Sequence, residues 1–182
     1  MIKKEITSII QSRKSVYPKE FNGEIIKDKD IIQLLENANH APSHKMTQPW
    51  RFKIFCQKSK KKLLNEIIKV TDFSESKKQN IENRFEKTSH IISICMKKNI
   101  EIVPEWEEIA ATAMAVQNIW ISCSKSNIGG YWSTPKYSIK LRKFLKLDKD
   151  EICLGFFYLG IHQSERKKRL RDSVVDKIQW FN

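Results

Sequence analysis

The chain has 182 residues, 40% hydrophobic and 30% charged, which suits one domain with its own core and argues against disorder. Its formal charge is +13, from 34 Lys and Arg against 21 Asp and Glu. The basic residues run along the whole chain, so the excess reads first as a lysine-rich solvated surface, next as attraction for small anions, and last as nucleic-acid binding.

Ile2, Ile6, Ile9 and Ile10 recur at helical spacing and predict a helix over 2–12, ended by Arg13-Lys-Ser-Val-Tyr-Pro18. Asn22-Gly23 marks a turn. Ile31, Leu34, Leu35 and Ala38 predict a second helix over 27–39, stopped by Pro42. Residues 41–50, APSHKMTQPW, then crowd two prolines, His44, Lys45, Gln48 and Trp50 into one rigid turn. Phe52, Ile54 and Cys56 share one parity, a strand over 51–56.

Helices are expected over 59–70 and 75–87. Residues 90–96, HIISICM, are almost continuously apolar and read as a central strand covered on both faces. The longest helix is expected from 105 to about 126, rich in small residues and closed by Gly129-Gly130. Residues 131–135 read as a loop and 137–145 as a short helix. Residues 151–160 form a further strand, in which Gly155 signals close backbone approach. The tail carries Val174, Val175, Ile178, Trp180 and Phe181, an apolar set that docks either on its own core or on a partner subunit. The result is a single α+β domain over 1–182, without a GxGxxG or GxxxxGK[ST] loop.

Cys56, Cys95, Cys123 and Cys153 are far apart and form no CxxC pair, which points to reduced core cysteines and away from structural zinc. No apolar window reaches bilayer length and no signal peptide is visible, so the expectation is a soluble cytoplasmic protein with no membrane partner.

Three groups could carry chemistry. Arg13-Lys14-Ser15 offers a guanidinium, an ammonium and a hydroxyl, the donors that ring a phosphate monoester, or else simply a basic helix end. His44, Lys45 and Gln48 sit on a proline-stiffened turn, either facing a heterocycle or capping a helix. Gly129-Gly130 with Ser133 and Thr134 either frees backbone donors or stops a helix. No nucleophile–base triad and no metal-ligand spacing is present, so no catalytic side chain and no metal is assigned.

In combination, Arg13-Lys-Ser15, the 41–52 segment APSHKMTQPWRF, Ala115-Val-Gln-Asn118, Gly129-Gly-Tyr-Trp132 and Gly155-Phe-Phe-Tyr-Leu-Gly160 resemble the nitroreductase-like FMN flavoproteins, most closely their minimal bacterial branch. The resemblance spans nearly the whole chain. It implies a mostly antiparallel central sheet flanked by helices, in an intertwined homodimer with two FMN sites at the interface. By position it implies that Arg13 and Ser15 meet the FMN phosphate and ribityl chain, helped by Lys14. His44 and Gln48 would reach the partner subunit's cofactor. Tyr131, Trp132 and Ser133 would cover the flavin or its phosphate end, and Arg169 would approach the phosphate. NADH or NADPH would reduce the flavin, and a small electron-poor acceptor, such as a nitro compound or quinone, would reoxidise it in ping-pong fashion. Two departures stand out. Tyr17 occupies a position that is basic in many relatives, near the flavin N1 and O2 edge, and Ser133 follows Trp132 where relatives often carry arginine. The other readings are an FMN-binding redox-sensing module with little turnover and a basic nucleic-acid-binding protein.

Overall fold

The computed structural model describes residues 3–163 and 170–181. Its strands are β1 (Trp50–Cys56), β2 (His90–Lys97), β3 (Ile128–Ser133) and β4 (Glu151–Ile161). They form one sheet in the order β1-β2-β4-β3, antiparallel at every pairing. The helices are α1 (Lys4–Ser12), α2 (Asp28–Asn39), α3 (Gln57–Lys69), α4 (Glu75–Lys87) and α5 (Glu105–Ser122). This is the expected α+β class with an antiparallel sheet between helices.

The sheet is buried on both sides. Ile92 and Ile94 of β2, with Phe157 and Leu159 of β4, pack with α2 and α5. Residues of opposite parity, Ile91, Phe156 and Tyr158, pack with Leu63 and Ile67 of α3, Phe85 of α4 and Leu141. That two-sided burial is why β2 reads as continuously apolar.

Three expectations need correction. Residues 131–133 belong to strand β3 and not to a loop. Gly129-Gly130 lies inside that strand and does not close α5, which ends earlier at Ser122. The reason is packing: a Cβ on Gly129 would sit 2.6 Å from Val16 Cβ, and one on Gly130 2.4 Å from the Phe157 ring. Glycine here lets neighbours approach the strand. The short helix after Pro135 is a 3-10 turn, Lys136–Leu141.

Candidate functional site

Residues 13–17 leave α1 in extended form and run beside β3, where the Val16 amide donates to the Gly130 carbonyl at 3.0 Å. The missing Gly129 side chain makes room for this approach. Trp120 of α5 donates its indole N–H to the same Gly130 carbonyl, also at 3.0 Å. The Arg13 guanidinium carbon then lies 4.8 Å from the Trp120 ring centroid, in cation–π contact.

These elements enclose a cavity of about 810 Å³, lined by Arg13, Lys14 and Ser15 together with Trp120, Lys125 and Arg171. Among the described residues, four cations line it and no Asp or Glu does. Burial first, and then the positive charge of Arg171, push the Arg13 guanidinium below its ordinary value. Like charges gathered around one cavity make a place for an anion. The volume falls within the range of about 300–1,000 Å³ typical of small-molecule sites. Ser124, also in the wall, has a buried hydroxyl without a hydrogen-bond partner. The donor set therefore fits a phosphate-bearing cofactor whose remaining body fills the cavity.

The turn holding His44 and Gln48 is separate from this cavity within the protomer. Lys45, Met46 and Gln48 all have positive φ, at 50°, 55° and 44°. Non-glycine residues adopt that region at a cost, and such strain concentrates at functional sites. The turn is held in place by Gln48 N–H donating to Ser43 Oγ at 3.1 Å and by Arg51 donating to the Gln48 carbonyl at 2.9 Å. His44 Nδ1 lies 2.5 Å from Glu107 Oε2, at the start of α5. Trp120 is on the far end of the same helix, about 20 Å away at 1.5 Å rise per residue. The two predicted clusters thus occupy opposite ends of α5.

Tyr131, Trp132 and Ser133 follow the cavity's Gly129 along β3 but do not line the cavity. Tyr131 packs against Tyr17, ring centroids 4.6 Å apart. Trp132 is partly buried on the α5 side, its indole N–H without a partner. Arg169 lies outside the described residues. Sequence reasoning assigned no site role to Trp120, the platform under Arg13, or to Arg171 in the cavity wall. Both reach the cavity through folding across the chain, which local spacing does not reveal. The described residues hold no group of three or more His, Cys, Asp or Glu able to bind a metal, and no helix among them is long and apolar enough to cross a membrane.

The Nitroreductase family profile matches residues 10–161. The Bacillus subtilis (strain 168) protein named "Putative NAD(P)H nitroreductase YfhC" is 24% identical over 181 residues, covering 95% of this chain and 92% of that protein. The crystal structure of the nitroreductase-like family protein from Bacillus cereus superposes with a TM-score of 0.86 at 21% identity, covering 100% of this chain and 98% of that one. The FMN-dependent nitroreductase NfnB from Mycobacterium smegmatis, solved in complex with NADPH, superposes with a TM-score of 0.77 at 13% identity, covering 97% and 98%.

Proposed function

The chain belongs to the nitroreductase family, and from that premise we propose that it is an FMN-dependent NAD(P)H oxidoreductase working as a homodimer. The observation that carries this reading is the convergence of Arg13, Lys14 and Arg171 on one cavity, with no acidic residue among the described residues that line it. Bound FMN would supply the redox chemistry, taking electrons from NADH or NADPH and passing them in ping-pong order to a nitro compound, a quinone or a related electron-poor acceptor. The protein's part is to bind and orient. Arg13 and Arg171 would hold the phosphate, and Ser15 and Lys14 would add donors beside it. The Trp120 ring fixes the Arg13 fork from below.

The homodimer rests on two features. One stripe of α5 remains apolar and uncovered: Trp106 is 67% exposed, and Ile109 and Met114 lie exposed along the same side. Trp180 and Phe181 of the tail are 82% and 86% exposed. An antiparallel pairing of two α5 stripes about a twofold axis would bring each 44–48 turn to the partner's cavity. His44 and Gln48 would then complete the partner's site, and Tyr131, Trp132 and Ser133 would border it.

The test is an anaerobic absorbance titration of the purified protein. Bands near ~370 and ~450 nm that bleach with NADPH or NADH and return on adding a quinone would support the oxidoreductase. A flavin that binds but does not bleach would favour the sensing module. A colourless protein that refuses added FMN would overturn the reading. Shared sites have a separate test, the mixing of Arg13→Ala and Gln48→Ala subunits. At FMN concentrations too low to fill either variant, each heterodimer would keep one intact site and regain turnover. Absence of recovery in confirmed heterodimers would refute the shared site.

A further inference from the structure

On the face of the sheet opposite α5, Cys95 of β2 and Cys153 of β4 are direct cross-strand partners. The register shifts between Ile94 and Cys95, so the pair stands beside a β-bulge; partners opposed in a regular antiparallel ladder have Cα atoms about 4.5–5.5 Å apart, inside the disulfide range of about 4.4–6.8 Å. The Ser93 hydroxyl lies 3.3 Å from Cys95 Sγ and 3.4 Å from Cys153 Sγ. The one hydroxyl thus bridges the two thiols. Lys53, the cross-strand neighbour of Ser93, adds positive charge on that side. Cys153 is half-buried and Cys95 fully buried, so only one of the pair is open to a reagent from solvent.

We propose that Cys95 and Cys153 form a peroxide-responsive dithiol that closes to a disulfide between β2 and β4, with Cys153 the attacking and Cys95 the resolving residue. The Cys153 thiolate attacks one oxygen of hydrogen peroxide. The O–O bond breaks, leaving a sulfenic acid and, after proton uptake, water. The Cys95 sulfur then attacks the sulfenic sulfur, the S–O bond breaks, and the hydroxide leaves as water with the Cys95 proton. Two thiols lose two electrons in all, and one peroxide is reduced to two waters.

The local chemistry suits these roles. The neighbouring Cys95 thiol and the Ser93 hydroxyl lower Cys153, against the opposing effect of burial. The same pairing and burial raise Cys95, keeping it protonated until the sulfenic acid forms beside it. Cys56 and Cys123 have no such arrangement: neither has a cysteine as its cross-strand partner, and burial pushes Cys123 up to about 12. The dithiol lies outside the cavity described above, so the inference is independent of flavin binding.

The experiment treats the full-length protein with stoichiometric hydrogen peroxide, alkylates it after denaturation and maps the peptides by mass. The expected result is joint loss of alkylation at Cys95 and Cys153, one linked peptide pair, and full recovery with dithiothreitol. In Cys95→Ser, dimedone should trap a sulfenic acid on Cys153; in Cys153→Ser, Cys95 should stay alkylatable. If a variant fails to fold, the wild-type map alone decides. Four cysteines still alkylatable, a Cys153 sulfinic acid without the link, or an intermolecular disulfide would each overturn the proposal.

Discussion

Removing the Arg13 guanidinium should weaken FMN far more than riboflavin, which has the same ring and ribityl chain but no phosphate. Arg13 lines the cavity and is propped by Trp120 at 4.8 Å. A hydrogen bond to a charged group is worth about 1.5–3 kcal/mol, so Arg13→Ala should raise the FMN dissociation constant about 10- to 150-fold. Arg13→Lys keeps the charge and loses the planar fork, and should fall between wild type and alanine. The assay is fluorescence quenching of each flavin titrated with apoprotein, at two salt concentrations. Equal losses for FMN and riboflavin would show that Arg13 shapes the cavity without meeting the phosphate. No loss for either would remove it from the site. Lost cation–π contact with Trp120 should cost only about 0.5–1 kcal/mol of stability, so a melting curve checks that binding, not folding, has changed.

Gly155 has φ of +122°, and a Cβ there would meet the Ser133 carbonyl oxygen at 2.3 Å. Gly155→Ala should therefore cost about 2–4 kcal/mol in urea unfolding, from backbone strain and overpacking together; a loss under about 1 kcal/mol by the same measure would show that the strand relaxes freely at this position. The Lys60 ammonium is buried and donates to the Phe85 and Thr88 carbonyls at the end of α4. Lys60→Met should destabilise by about 1–3 kcal/mol by leaving those acceptors unpaired, and an unchanged unfolding midpoint would refute the pairing. Burial lowers the His90 imidazole from its ordinary 6.5, opposed by Asp28 and aided by Lys60. The unfolded chain then takes the proton first, so this contribution is level above that value and lost as the pH falls below it. His90→Gln should flatten the decline in melting temperature between about pH 7 and about pH 5; an unchanged slope would assign it elsewhere.

The helices were legible because their apolar residues recur with the right period. The helix predicted over 75–87 is α4, Glu75–Lys87, and β1 and β2 each differ from expectation by one residue. What periodicity could not reveal was β3. Its Gly129-Gly130 pair looks like a helix stop when only neighbours in the chain are considered. The contacts that demand glycine come from Val16, more than a hundred residues upstream, and from Phe157, downstream on β4. The site divides in the same way. Arg13-Lys14-Ser15 forms a readable local motif, whereas Trp120 and Arg171 join it only through the fold.

The 41–50 turn shows how the two kinds of information combine. Its prolines made it look rigid in sequence, and three non-glycine residues at positive φ show that the rigidity stores strain. A helix-capping role would not require that strain. Nor would it require His44 to reach across to Glu107, or Met46 to stand 74% exposed. A turn braced against α5 and aimed outward makes physical sense if what it contacts lies beyond its own protomer. The uncovered stripe of α5 beginning at Trp106, beside the His44–Glu107 pair, supplies a surface on which a second subunit can seat. Gln48→Ala should then weaken FMN retention while leaving monomer stability unchanged. A variant that lost stability and kept its flavin would return the turn to a purely structural role.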